Sequence, residues 1–597
     1  MKTELPRWDM SVVYPGLDSP EYERDLRSAV RALDELEGLF DEAQIDRTES
    51  PMNPDLAAGI LERVLPLYNA LSDQMWTLGA YVYAFVSVDS RDEYAQARLS
   101  ELERHSVRLS KLHTRLTAWA GSQDVDALIE RSEQARLHAY WLQRARIAAE
   151  HMMSPAEESL AAEMRLTGSN AWNKLYGNLT SQIQATVEIR GERQTLTMSM
   201  LRNLAYDPDR EVRRAAYEAE LQAWEQHAMP IACALNAIKG ETNLLTRRRG
   251  WDSPLHASLF QNAIDEPTLN AMLDAAYEAF PDFRRYLHAK ARLLGIERCA
   301  WYDLFAPVGR ETRPWSYDEA AQFIIEQFAT YSQKLSDFAR RAFEERWIDA
   351  PPQPGKHDGA YCMRLRRDES RILTNYKPSF RAMGTLAHEL GHAYHNLCLA
   401  ERTYLQRLTP ATLAETASIF CNTIIDQAAL RDADREEQIA ILEASLQGVC
   451  QVVVDITSRY LFEKAVFERR VERELSVREL CEIMRDAQRQ TYGDGLDENT
   501  LHPYMWAAKP HYYGSAFYNY PYMFGLLFGL GLYALYLDDP DGFRARYDDL
   551  LSRTGMADAP TLAAEFGFDL RTPTFWRGAF ATVRQNIDRF EALAHEA

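Results

Sequence analysis

The sequence predicts a mostly α-helical protein, and two observations carry that expectation. Apolar residues recur at three- and four-residue spacing through long segments such as 209–227, 436–474 and 476–492. Strand-like alternation is confined to two short stretches, 186–197 and 360–376. With 597 residues, 46% of them apolar and 26% charged, the chain has enough material for a large packed core and is neither collagenous nor low-complexity. Its formal net charge of −21 opposes binding to nucleic-acid phosphates or anionic lipid, so neither partner is expected. Seven scattered cysteines without a C-x-x-C pair, and an N-terminus without an apolar core, lead us to expect a reduced, cytoplasmic protein without a signal peptide.

The elements follow in order. Thr186 to Thr197 alternates around Arg190-Gly191 and reads as a hairpin. It is taken as the seam between an N-terminal helical region, 1–200, and a catalytic region, 201–597. Arg247, Arg248 and Arg249 precede Gly250, as cations do at a helix C-terminus. A second hairpin is expected from 360–366 and 370–376, turning at Arg367, Asp368 and Glu369. Ser476-x-x-Glu479 is a capping box and Gly493 a helix stop. The uncharged run 523–537 is 15 residues long, short of the roughly 20 that cross a bilayer, and reads as a core helix.

Directly after the second hairpin comes His388-Glu389-Leu390-Gly391-His392. Residues four apart on a helix differ by about 40° around its axis, so both imidazoles face one side and can hold one ion. Glu389 flanks that ion without ligating it, where it can take a proton from the attacking water. A catalytic zinc centre has three protein ligands. The metzincin pattern would place Gly at 395 and His at 398, but His395 and Cys398 stand there, so the third ligand comes from elsewhere. Thr409-Pro410 marks the start of a second helix, which should fold back antiparallel and bring Glu415 towards the histidines. By itself Glu415 could equally be a solvated residue near a helix start, and the histidines an exposed helical pair.

These blocks resemble a known family. His388 to His395 (HELGHAYH), Ala414-Glu415-Thr416-Ala417-Ser418 and the distance between them are similar to oligoendopeptidase F, within the thimet oligopeptidase family of zinc metallopeptidases. The likeness spans nearly the whole chain, from Trp8-Asp9 and Tyr14 to Asp18, through Trp172 and Tyr302-Asp303-Leu304, to Gly359-Ala360-Tyr361-Cys362 and Thr374-Asn375-Tyr376. It implies a two-lobed helical ellipsoid enclosing a deep substrate channel, with a small antiparallel sheet beside the metal helix. It also implies one Zn2+ per chain, held by His388, His392 and Glu415. In that family a mobile segment supplies a His and Tyr residues that stabilise the oxyanion. His511, then Tyr520 and Tyr513, are the matching candidates here. Asn422 stands where the resemblance leads one to expect an acid seven residues after the ligand Glu, and Asp426 lies one turn further on. Cys398 and Cys421 are read as buried thiols rather than ligands.

The expected activity is zinc-dependent cleavage of internal bonds in short, unfolded oligopeptides, Glu389 being the general base. A dipeptide-releasing or carboxypeptidase-type zinc peptidase is the alternative enzyme, and would need a basic residue to hold a substrate terminus. A helical peptide-binding scaffold with a vestigial metal site is the alternative of another class.

Overall fold

A computed structural model describes residues 4–309 and 313–596. It is mostly helical, as expected, and divides into two compact units, each built from three stretches of chain. The first comprises Met1–Met152, Arg313–Ala428 and Tyr536–Phe566; the second comprises Met153–Thr312, Ala429–Leu535 and Gly567–Ala597. The chain therefore does not divide at residue 200. The hairpin placed there, β1 (Gln184–Ile189) and β2 (Glu192–Thr197), lies inside the second unit and packs on the helix Arg210–Arg248. A local turn signal marks a reversal of the chain but carries no information about which distant segments share a core.

In the first unit the helices Pro20–Glu42, Pro54–Val88 and Glu93–Gly121 pack on one another. Each starts at a side-chain cap: Ser19 accepts from the Tyr22 amide, Asn53 from Asp55 and Leu56, and Asp92 from Tyr94 and Ala95. The buried face of the first helix, Tyr22, Leu26, Ala29, Leu33, Leu36 and Phe40, alternates steps of four and three residues, which keeps one stripe facing the core. Leu365 and Leu405, far along the chain, bury into this same core.

Leu365 belongs to the expected second hairpin, β4 (Tyr361–Arg366) and β5 (Glu369–Leu373), with Arg367 at its turn at φ +40°. A short strand, β3 (Ile348–Asp349), adds to β5 in parallel, so the strand order is β3-β5-β4 and β4 forms an edge. The sheet is held by the buried Arg371, whose guanidinium donates to the Asp9 carbonyl at 2.9 and 3.2 Å.

The second unit is organised on Arg210–Arg248, a 39-residue helix capped by Asp209 and ending just before Gly250 at φ +72°. The helix Ile456–Arg470 packs on it and contributes Glu463 to a fully buried ion pair with Lys239 at 2.6 Å. The predicted helix 436–474 is realised as Arg435–Cys450 and Ile456–Arg470, joined by a π-turn at Gln451–Asp455. The capping box at Ser476 forms as expected, and Gly493 ends that helix at φ +52°. Among the described residues two helices, Arg435–Arg470 and Tyr520–Asp538, are long and apolar enough to cross a membrane, and 61% and 72% of their most apolar windows are buried within the protein. On Tyr520–Asp538 a Cβ at Gly531 would fall 2.4 Å from the Phe575 ring, so the absent side chain admits an aromatic from the helix Pro573–His595.

Candidate metal-binding active site

The helix Phe380–Cys398 carries the H-E-x-x-H motif and begins at Ser379, whose hydroxyl accepts from the Ala382 amide at 3.1 Å. It packs on β4 and β5. His388 and His392 project from one face with ring centroids 4.8 Å apart. Their Nε2 atoms each lie 3.3 Å from Oε2 of Glu415, and all three potential ligand atoms lie within 4.8 Å of one another.

Glu415 reaches this position through a close backbone approach. A Cβ on Gly391, inside the motif, would come 2.6 Å from both the Ala417 carbonyl oxygen and Ser418 Cα. Only a glycine admits that contact. The second helix differs in detail from the expectation. Pro410 is the residue before a single turn, Ala411–Ala414, and the main helix runs from Thr416 to Asp432. Glu415 sits at the break between them, and its carboxylate is held by the Ser418 hydroxyl at 2.7 Å. Burial raises its proton affinity, but the two imidazoles outweigh that and hold the carboxyl far below the usual range.

Glu389 is 6% exposed. Burial pushes its carboxyl up to about 7, with the Glu415 charge acting in the same direction and His388 and the Cys362 amide against it. These groups border a cavity of about 620 Å³ whose lining comes entirely from the first unit. Trp76, Tyr404, Arg364 and Arg407 line the same cavity. Sequence reading missed these four, because their positions spread over more than 300 residues and no local motif joins them.

His395, one turn past the motif, is buried and bonds Thr554 Oγ1 through Nε2 at 2.8 Å. Burial, and next His392, depress its pKa to about 4. Asn422 donates its amide to Asp426 at 3.1 Å, so these two polar groups answer each other. His511, Tyr513 and Tyr520 belong to the second unit and are absent from the lining of the cavity around the triad. Tyr513 stacks on Tyr176 at 3.7 Å and donates to the Trp506 carbonyl at 3.1 Å. The Tyr520 hydroxyl lies 3.2 Å from that of Ser258. His511 stacks on Tyr518 at 4.9 Å, and its Nδ1 is buried without a hydrogen-bond partner.

Residues 203–582 match the family model described as peptidase family M3, and 120–184 match one described as oligopeptidase F. The chain belongs to peptidase family M3. An oligoendopeptidase F homolog of Lactococcus lactis is 24% identical to this M3 chain, covering 100% of it and 98% of the relative. Group B oligopeptidase PepB of Streptococcus agalactiae is also 24% identical, covering 99% and 97%. A solved structure from Chlamydophila abortus superposes with a TM-score of 0.85 at 20% identity, covering 98% of each chain. Oligoendopeptidase-F of Enterococcus faecium does so at 0.69 and 19%, covering 97% and 99%. At those identities the structural likeness establishes the fold.

Proposed function

We propose that this M3 peptidase is a zinc-dependent endopeptidase of short, unfolded oligopeptides. The observation that carries the reading is the convergence of His388, His392 and Glu415 beside a buried Glu389 on one cavity. Two imidazole nitrogens and one carboxylate oxygen form a donor set that suits Zn2+ and leaves a position open. When bound there, the ion supplies Lewis acidity towards a peptide carbonyl and raises the acidity of water. Glu389 takes the proton from the attacking water and returns it to the leaving amine. The Cys362 amide bonds that buried carboxylate.

Substrate is held in extended form along the outer edge of β4. The stretch before Arg364 is the useful part of that edge, since Trp76 Nε1 donates to the Arg364 carbonyl at 2.8 Å. Main-chain pairing gives tolerance of many side chains. His511, with its unpartnered Nδ1, is the foremost candidate to stabilise the oxyanion; Tyr513 and Tyr520 would have to leave Trp506 and Ser258 to do so. Seven free thiols support a cytoplasmic location.

The test is cleavage of an end-blocked, internally quenched peptide of about ten residues by the zinc-loaded protein. Internal cleavage that a chelator stops is the expected result. Release of dipeptides from a free end alone, or activity indifferent to chelation, would overturn the reading.

A further inference from the structure

The cavity that holds the metal triad is also lined by two arginines, Arg364 and Arg407. Arg364 Nη2 lies 3.5 Å from Asp73 Oδ1, and Arg407 Nη2 bonds the same oxygen. Two guanidiniums therefore share one carboxylate, leaving one positive charge uncompensated among these three groups. The Arg364 and Arg407 side chains are only 11% and 8% exposed. Arg407 Nε is buried with no hydrogen-bond partner. A guanidinium offers five donors, and a buried donor without an acceptor is costly. Burial, then the neighbouring Arg407 cation, push the Arg364 guanidinium below its usual pKa, with Asp73 acting against them. The guanidinium of Arg364 lies 5.3 Å from the Trp76 ring, and Tyr404 lines the same cavity, giving apolar flanks to a polar floor. The two carboxylates that line the cavity, Glu389 and Glu415, belong to the metal site.

We propose that Arg364 and Arg407 form a substrate subsite that takes a carboxylate, either an acidic side chain near the scissile bond or the free C-terminus of a short peptide. This rests on the peptidase reading above and adds a substrate class to it. A planar carboxylate can accept two parallel N–H bonds from a guanidinium, and the Arg407 guanidinium lacks an acceptor at Nε. Asp73 anchors both cations and neutralises only one of their two charges.

Two peptide series separate the sources of the carboxylate. In the first, blocked peptides carry Glu, Gln or Lys at each position flanking the cleaved bond. In the second, one sequence is offered as free acid and as amide. Zinc-loaded wild type should show a preference of about tenfold or more in kcat/KM for the carboxylate member of one series, the size expected of a charge-assisted bond. The preference should collapse towards unity in Arg407→Met and in Arg364→Met, survive in part in Arg407→Lys, and grow in Asp73→Asn. The same peptides binding to Glu389→Gln, read by fluorescence anisotropy, should rank in the same order. Equal kcat/KM across both series, or a preference that persists in both methionine variants, would show that the arginines only latch β4 and the turn Leu405–Arg407 to the helix Pro54–Val88. If nothing is cleaved, the endopeptidase reading fails, and the anisotropy series still decides the subsite: tighter binding of the carboxylate peptides upholds it and equal binding overturns it.

Discussion

The H-E-x-x-H helix and the tyrosine-rich segment 511–522 were both conspicuous in the sequence, yet the structure treats them differently. On the helix, His388, Glu389 and His392 stand where helical geometry puts them, with their reactive atoms turned to a cavity. In the segment, Tyr513 and Tyr520 are buried and spend their hydroxyls on Trp506 and Ser258. A four-residue spacing on one helix fixes relative geometry by itself, because the backbone is already rigid. Aromatic residues near a turn have no such constraint, and packing partners decide where each ring points.

The strongest test of that contrast is metal removal. Chelation of the purified protein should abolish peptide cleavage, and stoichiometric Zn2+ should restore it; metal analysis of His388→Ala and Glu415→Ala should show well under one zinc per chain. Next comes Glu389→Gln, expected to lose two or more powers of ten in kcat while holding zinc, since a general base typically supplies that much. A loss smaller than tenfold would remove Glu389 from the chemistry. Gly391→Ala probes the close approach that brings Glu415 to the histidines, and should cost about 1–3 kcal/mol in urea unfolding together with zinc affinity.

His395 sharpens the comparison along a single helix, because it borders the same cavity as the motif but is buried and bonded to Thr554. Its folded pKa is about 4, below the ordinary 6.5. Between those values the unfolded chain binds a proton that the folded chain refuses, so stability falls as pH drops from 6.5 towards 4. His395→Gln should therefore lose less stability than wild type between pH 7 and pH 5, by about 2 kcal/mol in paired urea titrations. An identical pH response in the two proteins would contradict the buried neutral imidazole. The smallest effect is expected in the tyrosine segment. Tyr513→Phe should cost about 1 kcal/mol of stability, the worth of one hydrogen bond, with kcat within twofold of wild type. A hundredfold fall in kcat at unchanged stability would instead make Tyr513 a catalytic group and break the contrast.

Much of the chain was legible from one dimension. The helices announced themselves by spacing, and one of them by its capping box at Ser476, and both hairpins by their turns. Glu415 was reachable because its helix follows the motif helix closely and must fold back on it. The compact units do not follow the boundary at 200, because the first unit combines residues before 153 with residues after 312. The break in the helix at Glu415 was also hidden, since it depends on the backbone contact with Gly391.

By itself the sequence determined the helical class, the paired imidazoles with their neighbouring carboxylate, and membership of a peptidase family, all of which rest on local periodicity or on matched blocks. Only the tertiary structure decided that Trp76, on an N-terminal helix, lines a cavity with Arg364, Arg407 and the metal triad, and that Asp73 on the same helix pairs with both arginines. The physical reason is that helical geometry acts over a few residues, whereas a cavity wall is set by which apolar faces bury together. Here Leu365 and Leu405 drop into the core of the N-terminal helices and carry the two arginines to Asp73.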